Sequence, residues 1–222
     1  MFGAIPKSAW SRRYPSDETN GCVLAMRSLV IKTDDGRIVL VDNGAGNKHL
    51  KQLSYYRFFN LIDLGTELRN RGIQPEEITD VVLTHLHFDH CGYTTQKDES
   101  TGHLFLSFPN ANHWVSRKQW ENFLHPNALE RDSYFIENMQ AVADAKFLTA
   151  ARCRHIDLPH YRATPVRWAH SGTNCSLYPY GGPDFCLCRG CYPPCSQRIS
   201  GMDLGLRYVS DHVIQRETAH TC

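Results

Sequence analysis

The stretch Thr-His-Leu-His-Phe-Asp-His-Cys-Gly, residues 84–92, constrains this chain more than any other feature of its sequence. Four side chains able to bind a metal fall within six residues, and they are His85, His87, Asp89 and His90. They follow an apolar run, residues 78–84, that is typical of a buried strand. Because side chains alternate along an extended segment, His85 and His87 can reach one ion, while the next two ligands lie beyond a turn and face a second position. Imidazole with one carboxylate favours zinc, or another first-row ion, over calcium or magnesium.

The same segment also fits a histidine-rich surface loop that binds no metal. Two observations favour the metal site, namely the spacing His-x-His-x-Asp-His and the apolar strand that leads into it. A strand that ends at the rim of a sheet delivers its next residues to a place where ligands can converge. We therefore expect residues 85–90 to bind metal.

Size and charge narrow the classes of protein to which the chain can belong. Its 222 residues, 41% of them apolar, suffice for one sizeable core and fit one domain better than two. A net charge of +1 without a basic cluster gives no electrostatic case for nucleic acid. No apolar run reaches the length of a membrane span, and residues 1–7 lack the apolar core of a signal peptide. A cytoplasmic protein is the expectation.

Hydrophobic periodicity and turn residues predict alternating strands and helices over the first two-thirds of the chain. The predicted elements are a β-hairpin of strands 22–33 and 37–42 around Asp34-Asp-Gly36, a helix through Leu61, Leu64 and Leu68 that ends at Gly72, one helical turn from Pro75, the strand 78–84, strands 104–108 and 113–116, a helix capped by Ser116, and a helix over 129–145. The polar run 96–102 is predicted to be a solvated loop. The aromatic stretch Tyr55–Phe59 is predicted to pack as core or lid.

The motif His-x-His-x-Asp-His, placed after a threonine that closes an apolar strand, resembles the signature of the metallo-β-lactamase superfamily. Two further segments resemble a lactonase-like and organophosphate-hydrolase-like branch: Phe-Gly-x-x-Pro-Lys-x-x-Trp at residues 2–10, and Pro-Asn-Ala-x-x-Trp-Val-Ser at residues 109–116. The resemblance implies an α/β fold, the αββα sandwich, with its site at one edge of the sheets. It covers residues 1–145, an N-terminal part of such a domain. The sandwich is expected to be incomplete, because the family's first strand is missing ahead of residue 2.

The resemblance also implies a chemistry for the motif. His85 and His87 would hold one zinc ion, and Asp89 and His90 a second ion about 3.5–4 Å away, with a metal-held hydroxide attacking a carbonyl or phosphoryl centre. Asp89 would also protonate the leaving oxygen as the catalytic acid. The expected substrates are small molecules: lactones or other esters first, phosphotriesters next. Nucleic acid and membrane partners are not expected, and the oligomeric state is left open. Zinc is the expected metal, although manganese or iron are alternatives.

The ligands that the family places in its C-terminal half are hard to find in this sequence. His170 in Trp168-Ala-His-Ser-Gly172 weakly resembles the Gly-His-Thr loop that carries a further histidine ligand, and no Gly-Asp follows for the bridging carboxylate. The alternative hypothesis is therefore a defective relative that binds metal weakly or not at all, because a two-metal centre loses its clamp without that carboxylate.

Residues 146–222 form a tail of different character, rich in cysteine, arginine and proline, and not expected to be a native domain. Seven of the nine cysteines lie there. A zinc module on Cys186, Cys188, Cys191 and Cys195 is one explanation, and disulfide bonding is another, although the spacing and the missing secretory signal disfavour them.

A third explanation of the tail is a shifted reading frame. Trp168–Gly172 can be encoded by TGG GCA CAC AGC GGG, which read one base later gives Gly-His-Thr-Ala-Gly. Gly190–Pro193 can be encoded by GGA TGT TAT CCC. Read one base later, these bases become GAT GTT ATC CC and encode Asp-Val-Ile-Pro, which supplies the missing aspartate. Both missing motifs then stand in the family's order. We expect the C-terminal third to be frame-shifted.

Overall fold

The computed structural model describes residues 6–12 and 14–151 and five further strand segments, 156–158, 161–165, 175–179, 185–186 and 206–210. The predicted ligand His170 lies outside the described residues, as do Cys188, Cys191 and Cys195 of the alternative cysteine site. No helix in the described part of the chain has the length and apolar character needed to cross a membrane.

The strands form two larger sheets and one hairpin. In chain order they are β1 Arg27–Lys32, β2 Ile38–Val41, β3 Asp80–Val82, β4 Thr95–Lys97, β5 Leu104–Leu106, β6 Asn112–Ser116, β7 Leu148–Ala151, β8 Ile156–Leu158, β9 Tyr161–Pro165, β10 Cys175–Pro179, β11 Phe185–Cys186 and β12 Leu206–Ser210. The main sheet has the order β12-β1-β2-β3-β6-β7, the second has the order β11-β10-β9-β8, and β4 pairs with β5. In the main sheet β2, β3, β6 and β7 run parallel, and β1 is antiparallel to both of its neighbours. The segment after residue 145 thus contributes β7 and β12 to the main sheet.

The helices are short. They are α1 Lys7–Trp10, α2 Leu64–Asn70, α3 Phe88–Cys91, α4 Arg117–Leu124 and α5 Gln140–Asp144, with single 3-10 turns at 54–56, 75–77, 92–94, 131–133 and 136–138. The helix predicted through Leu61, Leu64 and Leu68 is confirmed from Leu64 onward, whereas Leu61 precedes it. The Asp63 carboxylate caps the helix by accepting from Thr66 N, and Gly72 lies in the left-handed region at φ +72°. The Ser116 cap of α4 is confirmed too, since its hydroxyl accepts from Gln119 N.

The β1–β2 hairpin is confirmed, but its first strand begins at Arg27 rather than at residue 22. Val23 and Leu24, whose apolar character suggested a longer strand, are 57% and 42% exposed. Neither side chain packs into the core, and β1 starts three residues after Leu24. The turn at Gly36, φ +82°, closes the hairpin as predicted.

Two predictions about the later elements are wrong. The first two residues of the predicted solvated loop 96–102 instead belong to β4, Thr95–Lys97, which pairs with β5, so that β5 does not pair with β6. The helix predicted over 129–145 is broken into two 3-10 turns and the short α5. Its break falls at Tyr134 and Phe135, whose backbone is extended. Their rings pack against His87 and Phe88 instead of continuing a helical stripe, and tertiary packing therefore overrides the periodicity.

The hydrophobic core lies where α2, α4 and α5 meet the parallel part of the main sheet. Its fully or almost fully buried members include Leu40, Leu68, Ile73, Ile78, Val81, Leu83, Phe108, Met139 and Val142. The parallel strands β2 and β3 end at the same edge, so the chain that follows each of them emerges at one place. That edge carries the candidate site.

A buried histidine in this core makes the stability of the protein dependent on pH. His113 on β6 is fully buried, and its Nδ1–H donates to Ala111 O at 3.0 Å. Burial lowers its pKa from 6.5 to about 4. In the unfolded chain His113 is protonated below about pH 6.5, whereas in the folded chain it is protonated only below about pH 4. The free energy of unfolding therefore falls as the pH is lowered from 6.5 to 4. We expect a loss of about 3 kcal/mol in the free energy of unfolding across this range.

Urea unfolding followed by circular dichroism at several pH values between 4 and 7 measures this loss. His113→Phe should lack most of it, whereas His103→Phe, at an exposed histidine of the β4–β5 turn, should retain it. An identical pH dependence in the wild type and His113→Phe would contradict the prediction.

Candidate metal centre

The predicted metal-binding segment turns back on itself directly after β3. His87 has extended backbone, φ −68° and ψ 152°, and precedes the single turn of α3. His90 N and Cys91 N both donate to His87 O, at 2.9 and 3.1 Å, which closes the turn. This turn places Asp89 on the side of the preceding histidines, a proximity that alternation along a strand alone does not produce.

Three of the four predicted ligands form one compact group. Ligand atoms of His85, His87 and Asp89 all lie within 4.8 Å of one another. The two imidazole rings are 4.7 Å apart between centroids. His85 is 3% exposed, and the other two side chains are half-buried. Two imidazoles and a carboxylate at this separation are a donor set that fits zinc or another first-row ion.

His90, the fourth predicted ligand, lies beside this group but faces two carboxylates. Its Nδ1 is 2.6 Å from Asp42 Oδ2, its Nε2 is 3.4 Å from Asp89 Oδ2, and its ring is 3.9 Å from that of His85. Burial alone would lower its pKa, but the charges and hydrogen bonds of Asp42 and Asp89 outweigh burial and raise it to about 9. The assignment of Asp89 and His90 to a second ion stays a prediction, because the geometry groups Asp89 with His85 and His87.

Asp42 ties the ends of the two strands together. It follows β2 in the left-handed conformation, φ 51°, and its carboxylate accepts from Thr84 N at 2.9 Å and from the Thr84 hydroxyl at 2.7 Å. The same carboxylate holds His90, and the Thr84 hydroxyl lies 3.1 Å from His85 Nδ1. One side chain directly after β2 thus orients three residues after β3, namely Thr84 and His90 directly and His85 through Thr84. Through these contacts Asp42 supports the candidate ligands from behind.

A supporting loop, residues 42–48, is hydrogen-bonded to the end of α3 and to the chain that follows it. Asn43 N donates to His90 O at 2.8 Å, and the Asn43 side chain bonds Tyr93 N and Thr94 Oγ1 at 3.0 and 2.8 Å. The two backbones touch at Gly92, where a Cβ would lie 2.1 Å from Ala45 O. Only glycine permits this approach, so residue 92 is determined by packing against the supporting loop.

Aromatic rings line one flank of the group. The Tyr134 ring lies 4.9 Å from that of His87, edge to face, and Phe88 contacts Tyr56, Phe58 and Phe135. The packing role predicted for residues 55–59 holds for Phe58, whereas Tyr55 and Phe59 are 88% and 57% exposed.

Two residues that contact the motif in the structure, Tyr134 and Gln119, could not be assigned to the site from the sequence. Gln119 is fully buried and accepts weakly from Leu86 N at 3.4 Å. Both residues come from distant parts of the chain, and no spacing in the sequence relates them to the motif.

A cavity of about 260 Å³ is lined in part by the supporting loop, and none of the predicted ligands is among its lining residues. Asn43, Asp63 and Tyr93 contribute its polar lining, and Leu50, Leu61 and Leu64 part of its apolar lining. The hydrogen-bonding groups of Asp63 and Tyr93 are engaged with each other at 2.6 Å. The candidate ligand group and this cavity therefore share no residue.

Comparison with known proteins relates this fold and site to one superfamily. The family model described as "Metallo-beta-lactamase superfamily" matches residues 27–93, which include β1, β2, β3 and all four motif residues. No curated protein matches the sequence. Among solved structures, a probable metal-dependent hydrolase from Staphylococcus aureus aligns with a TM-score of 0.69 and 28% identity, covering 80% of this chain and 61% of the other. The hydrolase AbOPH, described as in the beta lactamase superfamily, aligns with a TM-score of 0.57 and 19% identity, covering 79% and 60%.

The chain therefore contains a segment of metallo-β-lactamase type, residues 27–93, within a fold similar to that of the staphylococcal hydrolase. The predicted α/β class is confirmed by the same findings. The chain spans about 61% of the length of the staphylococcal protein.

Proposed function

We propose that this protein is a zinc-dependent hydrolase that acts on a lactone or another small ester. The observation that carries the proposal is the convergence of His85, His87 and Asp89 ligand atoms within 4.8 Å, at a turn that Asp42 and the supporting loop hold from behind. A surface loop of histidines would not need a buried ligand such as His85. The staphylococcal relative is described as a probable metal-dependent hydrolase, which supports the same class of reaction.

His85, His87 and Asp89 would hold zinc, with His90 as a further ligand and His170 as a candidate from the undescribed part of the chain. Bound zinc supplies Lewis acidity to the ester carbonyl and lowers the pKa of water to about 7. Asp42 keeps the ring of His90 oriented through Nδ1, which leaves Nε2 on the side of Asp89. The Asp89 carboxyl would deliver the proton to the leaving oxygen.

The substrate class is proposed from the sequence resemblance and from the surroundings of the group. Residues 2–10 and 109–116 resemble a branch that includes lactonases and organophosphate hydrolases. The Tyr134 ring borders His87, and apolar ring surface at this position suits an uncharged ester better than a phosphate monoester. A phosphotriester is the next candidate on the same grounds. The cytoplasmic location stays a prediction from the sequence.

Metal content and hydrolysis, measured on the same purified protein, test the proposal. We expect one to two zinc ions per chain by elemental analysis, and hydrolysis of a panel of γ-lactones and aryl esters that stops on dialysis against a chelator and returns with zinc. A chain that takes up no zinc would contradict the proposal and support the alternative, a defective relative.

We further propose that residues 1–145 are the N-terminal part of the domain and that the codons after about residue 145 are read in a shifted frame. Sequencing the gene decides this point. The codons of Trp168 to Val209, read one base later, should encode Gly-His-Thr and then Gly-Asp. If they do not, the cysteine-rich tail is a genuine segment of the protein with a role of its own.

A further inference from the structure

Lys48 makes a contact that the motif does not account for. Its ammonium donates to Gly92 O at 2.5 Å and also to Thr95 O. The side chain is half-buried, and burial lowers its pKa to about 8, an effect that the charge of Glu137 opposes. At neutral pH the group is still mostly a cation, held against two backbone carbonyls.

The two carbonyls lie directly after the turn that carries Asp89. Gly92 follows α3, and Thr95 follows the 3-10 turn 92–94. Carbonyls at the end of a helical turn have no partner within that turn and carry partial negative charge, so a cation there is favourable. Several hydrogen bonds join the supporting loop to residues 92–95 in the described part of the chain. Of these, the two from Lys48 have a charged donor. Lys48 therefore anchors the far end of the turn, as Asp42 anchors its near end.

We propose that Lys48 is a positioning residue of the metal group, because its ammonium holds the Gly92–Thr95 backbone and thereby keeps Asp89 beside His85 and His87. This inference rests on the proposed function. Without the ammonium, the carbonyls of two buried residues, Gly92 and Thr95, lose this charged donor and the turn can shift. A shift of Asp89 changes the donor set itself, so the effect of losing Lys48 appears in metal binding before any substrate is present.

Zinc affinity measured by competition with a chromogenic chelator tests this inference. We expect Lys48→Met to bind zinc about 10–100-fold more weakly than the wild type. The matched control is Lys51→Met. Lys51 is an exposed lysine three residues after Lys48, and this variant should bind zinc as the wild type does. Lys48→Arg keeps the charge and several donors, and it should recover most of the affinity.

Thermal unfolding of the metal-free variants separates positioning from general support of the fold. The inference holds if Lys48→Met is folded at the assay temperature and still binds zinc weakly. It is overturned if Lys48→Met binds zinc like the wild type, or if Lys48→Arg is folded but recovers no affinity. If Lys48→Met does not fold, Lys48→Gln, which keeps one donor group, replaces it under the same criteria.

The two proposals fail in different ways. A wild-type chain that binds zinc, loses it in His85→Ala and keeps it in Lys48→Met would overturn the role of Lys48 alone. A wild-type chain that binds no zinc would overturn the proposed function and the role of Lys48 together.

Discussion

His85→Ala is expected to remove zinc from the protein and to lower ester hydrolysis by at least about a thousandfold, since losing a ligand removes the Lewis acid from the reaction. His85 is the most buried of the grouped ligands, and its ring contacts those of both His87 and His90. Alanine leaves a gap at the centre of the donor set that the half-buried neighbours cannot fill. Elemental analysis gives the metal content, and initial rates with a γ-lactone give the activity.

His103→Ala is the matched control for this loss. His103 is an exposed histidine, eighteen residues along the chain from His85, and it lies in the β4–β5 turn. The control should keep the zinc content and the rate of the wild type. A His85→Ala protein that is folded and retains both zinc and activity would show that the ligands lie elsewhere in the chain.

Asp80→Ala is expected to lower the free energy of unfolding by about 3–5 kcal/mol, because it leaves a half-buried cation without its partner. Asp80 is fully buried on β3, and its two carboxylate oxygens accept from Nε and Nη2 of the Arg37 guanidinium, each at 2.9 Å. The same oxygens accept from Trp114 Nε1 at 2.7 Å and from Thr79 Oγ1 at 2.7 Å. One carboxylate therefore joins β3 to residues before β2 and within β6.

Urea unfolding by circular dichroism and tryptophan fluorescence measures the effect of Asp80. Asp80→Asn should lose less than Asp80→Ala, since one amide oxygen still accepts. Asp144→Ala is the control, because Asp144 is an exposed carboxylate of α5 that accepts from Gln140. A drop below about 1 kcal/mol in Asp80→Ala would mean that the buried pair contributes no more than a surface pair does.

The candidate ligands follow directly after the strand that positions them, so the sequence was sufficient to predict the candidate site. Thr84 to His90 are contiguous, so the apolar run before them and their spacing carried the information about the site. The hairpin around Gly36, the helix capped by Asp63 and the cap at Ser116 were predictable for the same reason, since turns and caps depend on residues three or four positions apart.

Elements whose partners are distant in the chain could not be predicted in this way. The stretch 129–145 has a helical pattern of apolar residues, yet Tyr134 and Phe135 leave the helix to pack beside His87 and Phe88. The energy gained by those rings against the site outweighs a few tenths of a kcal/mol of helix propensity per residue. Likewise, residues 95–97 became a strand because β5 offered a partner.

The sequence by itself determined the candidate set of metal ligands, because the type and spacing of these residues lie within one short segment. Only the tertiary structure decided how the ligands are grouped and held. The single turn of α3 brings Asp89 back to His85 and His87, and Asp42 and Lys48 fix the two ends of that turn from a loop more than forty residues earlier. The physical reason is that parallel pairing of β2 with β3 brings the ends of both strands to one edge, and no local pattern records that pairing.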